Sequence, residues 1–263
     1  MSPAGAVSEG AVFEALRGVV DPELDESVVE LGFVDGVRLD GDSVTVGLRL
    51  PTFWCAPNFA YLMARDTRDR VLRVPGVGRV RVILKDHFAS DEISAGVTEG
   101  RAFEEVFPGE AEGDLDALRA QFRAKAFTMR QEQLVRFLLD GGLSCEEVVA
   151  LRVGDVEDAT DRAELVLRVG GSRRVLRGGA PLARAYLDKR RQVGLDGAPR
   201  ACLVTDQLGG AIAAGELPAY LRRTRMQRVS MALNTTLCRG LLEARYGPEG
   251  AEMPRRESAH AQT

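Results

Sequence analysis

No apolar run in this 263-residue chain approaches the roughly 18 residues that a membrane-spanning helix needs, so an integral membrane protein is not expected. Cysteine is scarce. The four cysteines, Cys55, Cys145, Cys202 and Cys238, are widely scattered and form no CxxC pair. That spacing argues against a disulfide framework and against a closed zinc or all-cysteine cluster site within one domain. The N-terminal half holds one cysteine only, Cys55. If it binds metal, the remaining ligands must be of other types or come from a second subunit. Histidine is nearly absent, with His87 the only one outside the C-terminal tail. The N-terminus, MSPAGAVSEG, lacks a basic region followed by an apolar stretch, which predicts no secretory leader and a cytoplasmic location. No internal repeat is present.

Apolar residues make up 45% of the chain, enough for a substantial core, and the length suits two compact domains. The net charge of −4 conceals an asymmetry. The first 110 positions are net acidic, whereas the stretch from Arg119 onward is richer in arginine, as in Arg173-Arg174, Arg190-Arg191 and Arg222-Arg223. Two units with different surfaces are expected, without nucleic-acid binding being established by charge alone.

The pattern predicts a helix over Ser8–Val20, ended by Asp21-Pro22. A short turn follows at Ser27–Leu31, then a strand at Val34–Leu39, a turn at Gly41-Asp42 and a cleanly alternating strand at Ser43–Leu50. Pro57 suits the first turn of a helix that runs to Leu72, and Val80, Val82 and Leu84 alternate as a third strand. Helix–strand–strand–helix–strand implies a small α/β domain with helices packed on a sheet. From Asp86 to Gly113 the pattern fades into an extension and linker. Leu115–Leu139 reads as helical, and Ser144 with Glu147 forms a capping box. Glu164–Val169 and Ser172–Leu176 read as a hairpin across Gly170-Gly171. Helices are expected at Pro181–Arg191, Gly215–Arg223 and Val229–Tyr246, around a short strand at Cys202–Thr205. The organisation so read is an α/β domain over 1–86, an extension over 87–114, a mainly helical domain with a β-hairpin over 115–247, and a disordered tail over 248–263.

The loop between the second strand and the second helix carries the strongest chemical signal. It reads Pro51-Thr52-Phe53-Trp54-Cys55-Ala56-Pro57. A helix N-terminus carries partial positive charge, which favours a thiolate, the form of cysteine that binds iron. Cys55 is equally readable as a small buried hydrophobe between Trp54 and Ala56. Phe53 and Trp54 are readable as core or as an exposed patch that meets a client. Asp21 and Glu23 are candidate acidic ligands or simple helix-terminating residues; Glu30 reads as surface. His87, beside Asp86, is a candidate ligand or an exposed histidine. Cys145, Cys202 and Cys238 sit within apolar patterns and read as structural.

Several segments together resemble the PaaD/SufT-type iron–sulfur cluster assembly domain. They are DPEL at Asp21–Leu24, SVVELGFV at Ser27–Val34, SVTVGLRL at Ser43–Leu50, PTFWCAPNF at Pro51–Phe59 and VPGVGRVRVIL at Val74–Leu84. The resemblance covers about 90 residues in matching order. It implies a non-catalytic maturation factor that helps load iron–sulfur clusters, or iron, into client proteins. Cys55 stands at the family's cysteine, Asp21 and Glu23 at its acidic element, and Thr52 at the threonine that opens its active loop, with Pro57 shaping that loop. The family usually has proline directly after the cysteine, where this chain has Ala56. The FWCAPNF loop and the DHFASDEISAG stretch at Asp86–Gly96 resemble the branch found beside diiron hydrocarbon monooxygenases. An iron–sulfur cluster or iron is the implied transient cofactor. Client metalloproteins or other cluster-assembly proteins are the implied partners, with a homodimer possible.

The second half is similar, more faintly, to the tyrosine recombinase (phage integrase) catalytic domain. GGLSCEEVVALRVGDVE at Gly141–Glu157 carries the resemblance, followed by the hairpin and the helices PLARAYLDKRR and MQRVSMALNTTLCRGLLEARYG. The catalytic set does not carry over. Ser144 stands at the first catalytic arginine, Arg225 at the partnering histidine, Arg228 at the later arginine, and Tyr246 follows Arg228 too soon to be the nucleophile. Strand cleavage needs clustered positive charge together with a nucleophile, so none is expected. Two other functions compete with cluster maturation: a DNA-binding regulator built on the degenerate fold, and a metal-free chaperone using Phe53 and Trp54.

Overall fold

The structure is a computed structural model in which residues 7–109, 115–157 and 163–247 are described. The expected tail at 248–263 and the end of the expected linker at 110–114 lie outside the described residues. The chain divides into two compact units, Met1–Ala117 with Ala232–Thr263, and Leu118–Met231. The first is α/β and the second mainly helical with a small sheet, the fold class expected from the sequence.

The first unit opens with α1 (Glu9–Arg17), whose N-terminus is capped by Ser8 Oγ accepting the Ala11 N–H at 3.2 Å. The hairpin of β1 (Val34–Asp40) and β2 (Ser43–Arg49) turns at Gly41, whose φ of 60° a side chain would resist. Helix α2 (Pro57–Val71) then crosses over to β3 (Arg79–Lys85), which pairs parallel to β2. The sheet order is β1-β2-β3. In-register pairs Val44↔Val80, Val46↔Val82 and Leu48↔Leu84 put six apolar side chains on one buried face. Tyr61, Leu62 and Ala64 of α2 are buried as well.

The stretch read as an extension is helical. It carries α3 (Ser90–Glu99) and α4 (Phe103–Val106). Beside the buried Ile93 and Val97, two small polar side chains bond α3 to β3. Ser94 Oγ accepts the Leu84 N–H at 2.9 Å, and Thr98 Oγ1 accepts the Val82 N–H at 3.3 Å. A Cβ on Gly96 would lie 2.2 Å from Val106 Cγ2, so glycine is what lets α4 approach.

The second unit contains most of α5 (Leu115–Asp140), then α6 (Cys145–Ala150), a 3-10 turn at Val153–Asp155, β4 (Val156–Glu157), β5 (Leu165–Val169), β6 (Ser172–Leu176) and α7 (Ala180–Gln192). The capping box is present: Ser144 Oγ accepts the Glu147 N–H, and Glu147 Oε2 accepts the Ser144 N–H at 2.8 Å. The expected strand at Cys202–Thr205 is reduced to isolated bridges, Arg152↔Cys202 and Thr205↔Ala211. Its backbone is instead tied to side chains. Gln131 Nε2 donates to Thr205 O at 2.7 Å and Arg190 donates to Leu203 O at 3.2 Å. Buried Tyr186 joins this network and its hydroxyl pKa is pushed up to about 12 by burial.

The two helices expected at Gly215–Arg223 and Val229–Tyr246 are one, α8 (Leu217–Tyr246). The residues between them, Thr224 to Arg228, include neither glycine nor proline, and nothing there breaks the ladder. Among the described residues, no helix is long and apolar enough to cross a membrane.

Candidate functional site

Pro51 ends β2, and the chain must then turn into α2 within a few residues. Ala56 is the N-cap, in extended conformation and without a side-chain bond to the helix; Pro57 occupies the first turn. Cys55 therefore sits one residue before the N-cap and is partly exposed. Its Sγ lies 3.3 Å from Thr52 Oγ1, so the threonine hydroxyl is placed to donate to a thiolate.

The loop is held through its backbone. His87 Nδ1 accepts the Ala89 N–H at 3.1 Å, which fixes the proton on Nε2; Nε2 donates to Cys55 O at 2.6 Å. His87 is 4% exposed, and burial lowers its pKa, with the neighbouring Arg245 charge acting the same way against the bond to Cys55 O. The neutral imidazole thus acts as a strut between the two loops. Phe88 N–H donates to Phe53 O at 3.2 Å, a second tie. Both ring nitrogens of His87 are spent on these bonds.

The last turns of α8 supply a third set of ties. Arg245 donates to Leu50 O at 3.2 Å and to Asp86 O at 2.6 Å, the carbonyls at the roots of the two loops. Tyr246 Oη lies 3.0 Å from Asp86 Oδ2, and the Arg49 guanidinium lies 5.0 Å from the Tyr246 ring centroid. Tyr246, weighed above against a nucleophile's position, is here a loop anchor; burial first, then the bond to Asp86, push its pKa up to about 12. Arg228 is ion-paired at 2.7 Å to Glu132, which is fully buried.

Phe53, Trp54 and Phe88 are 43%, 75% and 42% exposed. Their ring centroids lie 4.9 to 6.3 Å apart, so they form one aromatic patch beside Cys55. Such a patch is costly to leave in water and suits contact with another protein.

Asp21 is 7% exposed, while Glu23 is exposed. Asp21 Oδ1 accepts the N–H groups of Glu23 at 2.8 Å and Leu24 at 2.9 Å, closing the turn. Desolvation nonetheless raises its pKa to about 6, against the lowering effect of those two bonds. Both acidic residues act electrostatically on Cys238 of α8, an effect its apolar surroundings in sequence gave no sign of. Burial, followed by the charges of Asp21, Cys55 and Glu23, pushes the Cys238 thiol up to about 11. Cys238, Arg245, Tyr246 and Phe88 were not legible as site residues: their partners are distant in sequence. Cys145 and Cys202 lie in the second unit. Among the described residues, no three histidine, cysteine or carboxylate side chains are grouped to hold a metal ion.

Residues 9–82 match the sequence model of a family described as iron–sulfur cluster assembly protein. The matched segment contains α1, the whole loop from Pro51 to Pro57, Asp21 and Glu23, and most of β3. This part of the chain is thus similar to proteins of iron–sulfur cluster assembly, which suggests a general role in that process. His87, Phe88 and the α8 residues that tie down the loop lie outside it. No curated protein matches the chain.

Proposed function

We propose that the protein is a non-catalytic carrier in iron–sulfur cluster maturation, with the Cys55 sulfur as the point where cargo docks. The observation that carries this reading is a partly exposed sulfur, within the segment matched by the assembly family, on a loop whose backbone is tied at both roots. The cluster, or iron, is cargo. When it arrives, the Cys55 S–H bond breaks, a sulfur–iron bond forms and the proton leaves to solvent. Thr52 hydrogen-bonds the sulfur, and His87 and Arg245 keep the loop from collapsing over it. An open site with few ligands from one chain suits transient holding and hand-over, with remaining ligands from an acceptor or a second copy.

The aromatic patch of Phe53, Trp54 and Phe88 is the surface we assign to the client, since it borders the sulfur that must be delivered. A diiron oxygenase is the narrower form of the client, supported by the resemblance of the Cys55 loop and the Asp86–Gly96 stretch. The competing metal-free chaperone would use the same patch with no role for the sulfur. Anaerobic loading with ferrous iron and sulfide separates the two: wild type gains visible cluster absorbance, and Cys55→Ser gains little. Equal absorbance per chain in both would overturn the role of Cys55.

A further inference from the structure

Helix α8 leaves a row of large apolar side chains in water. Met226, Val229, Leu233, Leu237 and Leu241 are all exposed, Leu233 and Leu237 to 65% and 60%. The helix is unbroken, so residues at helical spacing along it share a face. Met226, Ser230, Leu233, Leu237, Gly240 and Ala244 follow one another at alternating steps of four and three, the seam spacing of a coiled coil, and all are exposed. Val229 and Leu241 stand beside the small members Ser230 and Gly240. A Cβ on Gly240 would meet nothing within 4 Å, so the seam is open there. The opposite side of the helix is spent on the fold. Met231, Thr235 and Leu242 are buried, and Arg228, Arg239 and Arg245 are bonded within the chain. A helix face shaped only by water is polar, and this one is not. The sequence after Gly247 holds a single large apolar residue, Met253, too little to cover the seam.

We propose that this face of α8 docks on the same face of a second copy, the two helices lying antiparallel about a two-fold axis. The inference does not depend on the reading of Cys55. Reversed, the seam is its own complement. With Leu233 set opposite Leu237 of the second copy, Ser230 falls opposite Gly240, Val229 opposite Leu241 and Met226 opposite Ala244, and each pairing is made twice. Small residues meet at Ser230 and Gly240, which lets the backbones approach. Charge selects the direction. No charged residue lies between Val229 and Cys238, so no like charges face each other across the axis. Arg225 and Glu243 are about five turns apart and so share one flank of the helix. Both are exposed, and neither has an ion pair among the described residues. The antiparallel register brings Arg225 of each copy within a single turn of Glu243 of the other, one ion pair at each end of the contact. A parallel pair would instead stack Arg222, Arg223 and Arg225 on their own counterparts. Through Arg245 the same helix holds the roots of the Cys55 loop, so the dimer sets two such loops on one paired support.

Sedimentation equilibrium of the full chain, kept reduced, is the test. Wild type should be a dimer, and the double variant Leu233→Glu with Leu237→Glu a monomer with the wild-type circular-dichroism spectrum. Arg225→Glu alone and Glu243→Arg alone should each weaken association by roughly tenfold, because two ion pairs turn repulsive at once, and the two together should restore it. That restoration keeps the test independent of how the leucine variant folds, since a second charge reversal does not repair a misfolded chain. A monomeric wild type, as when the tail or a different protein covers the face, would overturn the proposal. So would a dimer that survives both leucine substitutions, or single charge reversals that the double reversal fails to repair.

Discussion

Asp21 shows how one residue can close a turn while burying its own carboxylate. Its carboxylate accepts two backbone N–H groups, yet burial outweighs them and moves its pKa from 3.8 to about 6. The folded protein therefore holds this proton more tightly than the unfolded chain. The stability it contributes is complete below 3.8 and is lost as pH rises through about 6. Asp21→Asn keeps the accepting oxygen but has no charge to desolvate. Urea unfolding should find the variant equal to wild type at the acid end of that window and more stable above it, by up to about 3 kcal/mol. His87 has the opposite sign: burial lowers its pKa, so its contribution is lost as pH falls below 6.5. It is common to both proteins and cancels in the comparison. Identical pH profiles would contradict the buried-carboxylate account. At this scale the sequence placed Cys55 on an open loop, because a proline-bounded turn between a strand and a helix is a local pattern. It could not reveal the work of His87, which depends on a bond to a carbonyl 32 positions away.

Helix α8 gives the clearest case at the scale of elements. Its existence was readable from periodicity, but not its continuity or what its last turns hold. Arg245 has two carbonyl acceptors, both far away in sequence, and no short-range pattern announces such a partner. Arg245→Met keeps the aliphatic stem and removes both bonds. The loss should cost about 1–3 kcal/mol and should raise backbone hydrogen exchange across the loops at Pro51–Ala56 and Asp86–Phe88. Unchanged exchange there would show that the loops stand without the helix. Helix α3 escaped the sequence reading for the reverse reason. Only Ile93 and Val97 give it an apolar face, and its bonds to β3 come from Ser94 and Thr98, residue types that, with Gly96, read as loop when no strand is in view. Strands β2 and β3, by contrast, alternate strictly because one face of each is buried, and all three strands were placed to within about two residues.

On the scale of the whole molecule, an α/β unit carries a general cluster-assembly segment, and the end of the chain returns to that same unit to tie its loops. The mainly helical unit, whose core is built around α5, Tyr186 and the Leu203–Thr205 segment, folds on its own hydrophobic cluster. The central claim is that the Cys55 sulfur delivers cargo. Its most direct measurement is transfer. Wild type and Cys55→Ser, each supplied with equal iron and sulfide, are mixed anaerobically with an apo iron–sulfur acceptor, and the acceptor's gain of cluster is followed over time. The account predicts that wild type speeds the acceptor's loading above the protein-free rate and that Cys55→Ser does not; equal acceleration by both would contradict it.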